Sequence, residues 1–168
     1  DTAAALMMAN YYSSFGNLGD LSAKAIGETL TITGTRLEDI TIEPTDEDEF
    51  RPDKLEIAAP LIRKLSMKGA NRIGGTLDLR ECTRLESIDL RGCNGFVLDG
   101  KIEQGITTVR LPETEQLETI HFNGRLEGIE LKNLPSLETC DIEGYTNLTS
   151  LIVSEDIKAL DTATVIRN

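Results

Sequence analysis

The stretch LEGIELKNLPSLETCDIEGYTNLTSLIV, residues 126–153, contains one short pattern three times. The pattern is a Leu, two further residues and then two apolar positions separated by one residue, and it restarts every eleven residues. Two apolar positions with one residue between them alternate with period two, as in a β-strand that buries one face. The stretch therefore predicts very short strands separated by turns of Gly, Asn, Pro, Ser and Thr.

The same pattern extends over most of the chain. Aligning the fourth position of every copy gives two sets that interleave along the sequence, and within a set the usual step is 20–23 residues. The sets are Ile40, Leu65, Ile88, Val109, Ile129 and Leu151, and Leu30, Leu55, Leu77, Gly100, Ile120, Cys140 and Leu160. A unit this short cannot bury its apolar face alone, whereas stacked copies can. We therefore predict a mainly β solenoid of about six coils, each with two strand-like sides. The competing antiparallel sandwich would not require the same pattern in the same register.

The solenoid prediction assigns each residue of a pattern to the core or to the surface. Among the inward positions are Leu85, Ile88, Leu90, Leu137 and Ile142. The outward positions form two rows, one on each side of the coils. The rows are Thr41, Ser66, Asp89, Arg110, Glu130 and Ile152, and Thr31, Glu56, Asp78, Lys101, His121 and Asp141. Neither row contains Trp or Tyr, the aromatic residues that are enriched at binding hot spots.

Two stretches carry a family resemblance. LPSLETCDIEGYTNLTSLIV, residues 134–153, and CTRLESIDLRGCNG, residues 82–95, resemble leucine-rich repeats, in which Leu-x-x-Leu-x-Leu is followed by Asn or Cys at the turn. A coil of about 21 residues built from two half-coils looks most like the irregular leucine-rich repeats of Bacteroidetes surface proteins and gut bacteriophage proteins. The resemblance covers roughly Gly27 to Leu160 and departs from the pattern at the copies that begin at Gly27, Gly74 and Val97. It implies a leucine-rich-repeat-like β-solenoid and says almost nothing about function.

Two segments lack the pattern. Residues 1–26 precede the predicted solenoid of residues 27–168, and their Ala-, Leu- and Met-rich start favours a helix. We therefore predict a short N-terminal helical cap over the first coil, or a linker to a preceding domain. The other segment is an acidic loop insertion at about 43–54 that carries four consecutive acids, residues 46–49. It lacks the alternating oxygen ligands and the Gly of a calcium loop, so we expect an exposed, removable loop and no metal.

Composition excludes several classes of partner. Seventeen Lys and Arg against twenty-nine Asp and Glu give a net charge of −12, which repels nucleic acid and anionic membrane surfaces. No apolar run approaches the ~18 residues of a membrane span, so we predict no membrane insertion. Three cysteines are too few for a disulfide framework. Because the chain begins at Asp1 and continues directly into an apolar segment, we expect it to be a piece of a longer protein.

Few residues in the sequence are candidates for catalysis. His121 is the single histidine, and its alternation with Ile120 and Phe122 points it outward. Thr119 and Asp141 are its candidate neighbours, but no Gly-x-Ser-x-Gly nucleophile motif accompanies them, so we interpret His121 as a surface residue.

Cysteines and acids give equally weak signals of chemistry. Cys82 and Cys93 occupy turn positions, and their spacing matches neither a zinc site nor a disulfide, so we assign them to packing. The outward acids Glu56, Asp78 and Asp141 leave a polysaccharide-acting β-solenoid enzyme as a remote alternative.

These observations favour a non-catalytic structural or binding module that has no cofactor, no catalytic residue and no metal. It would belong to a larger bacteriophage virion protein or bacterial surface protein, located in the virion or at the cell surface. A secreted bacterial adhesin that binds host protein or glycan is the alternative. Its partners would be proteins, including adjoining domains of the same assembly. Aromatic and apolar residues outside the predicted core gather at the two ends of the chain, which predicts end-on contacts through Tyr11, Tyr12, Phe15, Leu160, Val165 and Ile166.

Overall fold

The computed structural model describes residues 3–8, 29–44, 50–144, 147–154 and 157. Within these residues the chain forms strands and turns and contains no helix. The strands are β1 Ala3–Met8, β2 Thr29–Thr33, β3 Asp39–Thr41, β4 Lys54–Ala58, β5 Lys64–Ser66, β6 Gly74–Asp78, β7 Ser87–Asp89, β8 Phe96–Leu98, β9 Lys101–Glu103, β10 Gly105–Arg110, β11 Thr119–Phe122, β12 Gly128–Leu131, β13 Thr139–Ile142 and β14 Ser150–Val153.

Most of these strands lie in two five-stranded sheets. One sheet has the order β1-β2-β4-β6-β10 and the other the order β13-β11-β7-β5-β3. Every ladder in both sheets is parallel. From β2 to β7, successive strands of the chain belong alternately to one sheet and the other. Strands β12 and β14 form a further parallel pair. The prediction of a mainly β fold built from short strands is confirmed.

One hydrophobic core receives side chains from both large sheets. In β2 and β4, buried residues alternate with partly exposed ones, as period-two patterning requires. The predicted inward residues are confirmed: Leu85 and Leu90 are fully buried, and Ile88, Leu137 and Ile142 are each 1% exposed.

The predicted N-terminal helix is wrong over the residues that the structure describes. Ala3–Met8 is strand β1, and it pairs in parallel with β2, with Leu6 opposite Thr31. Ala, Leu and Met have high helix propensity, but the open edge of β2 offers a row of backbone hydrogen-bonding groups that a strand satisfies. The proposed boundary between residues 26 and 27 lies outside the described residues.

The predicted acidic loop is only partly described, because residues 45–49, which include the acids at 46–49, lie outside the described residues. The part that follows them is not a free surface loop. Phe50 is 1% exposed and belongs to the core, and Pro52 is also buried. Removing the whole insertion would therefore take a large aromatic side chain out of the core, which contradicts the expectation that it is dispensable.

The copy of the pattern at Val97, Gly100 and Ile102 does not form a strand of either large sheet. Strands β8 and β9 form an antiparallel hairpin, Phe96–Glu103, which we call the arm. Val97 is 71% exposed and Ile102 is 56% exposed, although the pattern predicts both in the core. Asp99 and Gly100 adopt φ values of 51° and 77° at the tip. Positive φ at both central residues produces the tight type I′ turn, which reverses the chain where the pattern predicts a continuing strand.

The arm also changes which strands are neighbours. The sequence pattern places Val109 beside Ile88, but β10 pairs with β6, and Val109 lies opposite Leu77. Strand β11 pairs with β7, and Ile120 lies opposite Ile88. The arm takes the place of one predicted strand. Strands β10 and β11, which follow it, therefore each lie in the sheet opposite to the one that the sequence pattern predicts.

The predicted outward rows are therefore wrong beyond β7. Arg110 lies opposite Asp78, whereas His121 lies opposite Asp89. In register, one observed row is Thr31, Glu56, Asp78 and Arg110, and the other is Thr41, Ser66, Asp89, His121 and Asp141.

Candidate functional site

The arm is the candidate interaction surface, because it combines exposed apolar side chains with a fixed base. Val97 and Ile102 lie directly opposite each other and project from one face of the hairpin. The alternation of side chains puts Phe96 on the other face, where the guanidinium of Arg72 lies 3.9 Å from the centre of its ring. This cation–π contact holds one face of the arm against the body of the protein, while the Val97–Ile102 face stays open to a partner.

A buried asparagine joins the two ends of the arm. Asn123 is fully buried, and its Nδ2 donates hydrogen bonds of 2.8 Å to the carbonyls of Cys93 and Ile106. The Ile106 N–H also donates to the Cys93 carbonyl, at 3.1 Å. These two residues flank the insertion, so one side-chain amide fixes the distance between the points where the arm leaves and rejoins the core.

Two further side chains attach the base of the arm to neighbouring strands and turns. Asn94 accepts a hydrogen bond from Gly124 N–H at 2.7 Å and donates one to Glu143 at 3.0 Å. On the other side, Gln104 Nε2 donates to the carbonyls of Pro52, at 2.8 Å, and Arg72, at 3.1 Å. Because the base is held from several directions, the arm is preorganised and loses little conformational entropy when a partner covers it.

Two of the outward acids are neutralised by a local motif. Asp78 and Arg80 form a bidentate pair, with Arg80 Nε donating to Oδ1 at 3.0 Å and Nη2 donating to Oδ2 at 2.8 Å. Asp89 and Arg91 repeat this arrangement at 3.0 and 2.7 Å. In each pair the hydrogen bonds from arginine lower the pKa of the aspartate below its ordinary value. The repeated Asp-Leu-Arg in the sequence is the signal for this motif, which was not among the predictions from the sequence.

His121 forms a pair with Asp141 on the neighbouring strand, with 2.8 Å between Nδ1 and Oδ1. A Ser-His-Asp arrangement also needs a hydroxyl in contact with the imidazole. In the row that contains His121, the nearest outward serine is Ser66, two strands away, at roughly 9.6 Å by strand spacing. Thr119, the neighbour considered from the sequence, lies two residues along the same strand. The described geometry therefore provides no nucleophile for this pair.

Three cysteines are free and buried, as expected for packing residues. The Cys82 thiol donates to the Ile57 carbonyl at 3.3 Å, and the Cys93 thiol donates to the Met67 carbonyl at 3.2 Å. Burial raises the pKa of Cys82, Cys93 and Cys140 to about 12 in each case. They are therefore unreactive thiols, without the thiolate character of a catalytic or redox site, and those of Cys82 and Cys93 bond to neighbouring segments of the chain.

All six residues predicted to make end-on contacts lie outside the described residues. The arm itself was not predicted from the sequence, although Asp99-Gly100 between apolar residues is a strong hairpin signal. Within the part of the chain that the structure describes, no helix is long and apolar enough to cross a membrane. The same residues contain no group of three or more His, Cys, Asp or Glu side chains placed to hold a metal ion.

Comparison with known proteins leaves the family open. No protein-family model matches the chain, and neither a curated protein nor a solved structure shows significant similarity to it.

Proposed function

We propose that the chain is a non-catalytic binding module, a leucine-rich-repeat-like β-solenoid segment of a larger virion or bacterial surface protein. In this proposal the parallel stack is a rigid support, and protein–protein contacts made through the arm and the ends of the stack carry the function. The partner is a protein, or an adjoining domain of the same assembly, and no cofactor takes part.

The exposed apolar face of the arm is the observation that carries the proposal. Single exposed aliphatic residues are common on protein surfaces and need no explanation. Val97 and Ile102 differ because they are paired across a hairpin that a buried asparagine and two further side chains hold in place. Fully burying a Val or Ile side chain contributes about 1.5–3 kcal/mol, so covering this pair would supply a useful share of a binding free energy.

The solenoid part of the proposal is supported by the alternation of strands between two parallel sheets. Each successive copy of the pattern from β2 to β7 adds one strand to one sheet and the next strand to the other. Residues at equivalent positions stack in register, as Leu30, Leu55 and Leu77 do. Stacking of equivalent residues on nearest neighbours is characteristic of repeat proteins.

Catalysis on polysaccharides receives little support from the outward acids. Asp78 is bound by Arg80, and Asp141 is bound by His121 and lies on the other sheet from Glu56 and Asp78. Glu56 itself contacts Lys54 at 2.9 Å. A retaining or inverting pair of carboxylates needs two acids on opposite sides of one sugar, and these three residues do not provide such a pair.

The test is site-specific cross-linking in the organism or particle that carries the protein. Val97 is replaced by the photoreactive amino acid p-benzoylphenylalanine, and the same amino acid at exposed Arg84 is the control. We expect a discrete protein cross-link from position 97 that Ile102→Asp abolishes, and none from position 84. A virion protein as the cross-linked species favours the virion assignment, and a host protein favours the adhesin alternative.

Two results would count against the arm as the contact surface. One is equal labelling from positions 97 and 84, and the other is labelling from position 97 that Ile102→Asp leaves unchanged. The end-on contacts through Tyr11, Tyr12 and Phe15 remain part of the proposal. Their replacement by alanine should weaken assembly more than charge reversal at Asp78 and Asp141 does.

A further inference from the structure

Strand β10 is the last strand of its parallel sheet, and within the described residues no strand continues the sheet on the side of β10 that faces away from β6. Strand β10 pairs with β6, whereas β12 belongs to a separate sheet with β14. Glu127, just before β12, donates its N–H to the Thr107 carbonyl at 3.0 Å, and the two strands diverge after this bond. Between them lies a cleft of about 560 Å³, within the size range of ligand pockets.

Within the described part of the chain, the divergence leaves backbone groups of β10 without a partner strand. At the end of the intact ladders, Leu79 N–H donates to the Arg110 carbonyl, and Leu90 N–H donates to the His121 carbonyl. The corresponding bond, from Leu111 N–H to the Glu130 carbonyl, is absent from the described residues. Because the Arg110 carbonyl faces β6, the N–H and C=O of Val109 face the opposite way, toward the cleft. An open strand edge of this kind is a template for another strand.

A cation that has no ion pair among the described residues lies at the same place. The charged residues that line the cleft are Arg80, Arg110, Lys132, Glu113 and Glu130. Asp78 neutralises Arg80, and Lys132 lies 3.4 Å from Glu130, whereas Arg110 is exposed and has no ion pair among the described residues. In a chain with a net charge of −12, this guanidinium, which has no ion pair among the described residues, gives the edge of β10 a local positive charge.

Apolar walls complete the cleft. Val109, Leu111 and Ile129 line it, and Ile152, which is 53% exposed, stands beside them. A ligand that fits this cleft needs backbone groups that pair with the open edge of β10 and side chains that pack against the apolar wall. It also needs a carboxylate that pairs with Arg110.

We propose that this cleft binds an extended peptide segment of a protein partner that carries an acidic side chain. The peptide backbone pairs with the open edge of β10, and its carboxylate pairs with Arg110. Strand addition provides affinity through main-chain hydrogen bonds, and the acidic side chain provides specificity. A small carboxylate would use the guanidinium but not the strand edge, so the edge favours a peptide. The proposal rests on the proposed function, because it specifies one kind of protein contact for the same module.

The test uses capped eight-residue peptides of alternating Thr and Val, with Glu at a central position in one peptide and Gln in the other. Each peptide is titrated into the ¹⁵N-labelled protein, and the amide shifts of β10 and β12 are followed. We expect saturable binding of the Glu peptide and about tenfold weaker binding of the Gln peptide, equivalent to ~1.4 kcal/mol. Arg110→Gln should remove this difference, and the matched change Arg84→Gln should preserve it. Glutarate is the small-carboxylate probe, and we expect it to bind much more weakly than the Glu peptide.

Three results would overturn the proposal: no saturation by either peptide, a preference for the Glu peptide that persists unchanged in the Arg110→Gln variant, or glutarate binding as tightly as the Glu peptide. The last result would identify a site for small carboxylates. Cross-linking through Val97 does not depend on the cleft, so it should persist if only the cleft proposal is wrong. Loss of both would reject the proposed function itself.

Discussion

Replacing Asn123 by alanine should destabilise the protein by about 2–4 kcal/mol. The side chain is fully buried and donates to two buried carbonyls, those of Cys93 and Ile106. The Ile106 carbonyl loses the side-chain bond, at about 1–3 kcal/mol, whereas the Cys93 carbonyl keeps the bond from Ile106 N–H, so the second lost bond adds about 0.5–1.5 kcal/mol. Part of this loss is offset, because the Asn123 Oδ1 is itself buried without a partner among the described residues and is removed by the substitution.

Urea denaturation of the wild type and the Asn123→Ala variant measures the difference in free energy of unfolding, provided that the m-values agree. Asn147→Ala is the matched control, because Asn147 is exposed and its side-chain bond to the Gly124 carbonyl is 3.3 Å long. We expect less than about 0.5 kcal/mol for the control. Hydrogen exchange should also become faster in the arm than in β2 and β4. A loss in Asn123→Ala no larger than that of the control would refute the argument that this side chain fixes the base of the arm.

The core, the thiols and Asp78 give further predictions. Leu137→Ala should cost about 2–5 kcal/mol in chemical denaturation, because Leu137 is 1% exposed, and a loss near zero would argue against the packing described here. The free thiols of Cys82, Cys93 and Cys140, with pKa values of about 12, should react with iodoacetamide at pH 8 only after unfolding, and rapid native labelling would contradict their burial. Because unfolding returns each thiol to its lower ordinary pKa, stability should fall above about pH 9, by ~1.4 kcal/mol per pH unit for each thiol that ionises only in the unfolded chain. The pKa of Asp78 is lower in the folded protein than in the unfolded chain, where it is about 3.9, so the ionised carboxylate stabilises the fold at pH values above about 3.9. This stabilisation is lost as the pH falls through the folded pKa. Asp78→Asn should therefore be less stable at pH 7 and lose less stability on acidification, and an unchanged acid profile would show that the carboxylate contributes nothing.

The sequence predicted the strands and the core well because both depend on local alternation. Leu85, Ile88 and Leu90 are buried where period two places them. Alternation alone did not distinguish a stacked strand from a hairpin, since Val97 and Ile102 fit the same pattern. The positive φ of Asp99 and Gly100 decides between the two, and the Asp-Gly pair was the available cue.

Features that depend on how distant strands pair were not predictable in the same way. The strand at Ala3–Met8 forms because a sheet edge is available, which outweighs local helix propensity. The cleft beside Arg110 exists because two strands with 17 residues between them in the chain, one ending at Arg110 and the other starting at Gly128, diverge after the bond from Glu127 N–H to the Thr107 carbonyl. Composition does not predict that divergence. The Asp-Leu-Arg pairs, in contrast, are local and could have been recognised from the sequence.

Disulfide trapping across β7 tests the central claim, that the arm stands outside the stack and shifts the pairing of the strands that follow it. Ser87 lies opposite Thr119 in the structure, whereas the uninterrupted sequence pattern places Thr108 beside it. Neighbouring parallel strands are ~4.8 Å apart, a separation that a disulfide can span. Oxidation of the Ser87→Cys/Thr119→Cys protein should give an intramolecular cross-link that peptide mapping identifies, and Ser87→Cys/Thr108→Cys should give none. Cross-linking of position 87 to position 108 but not to position 119 would contradict the account.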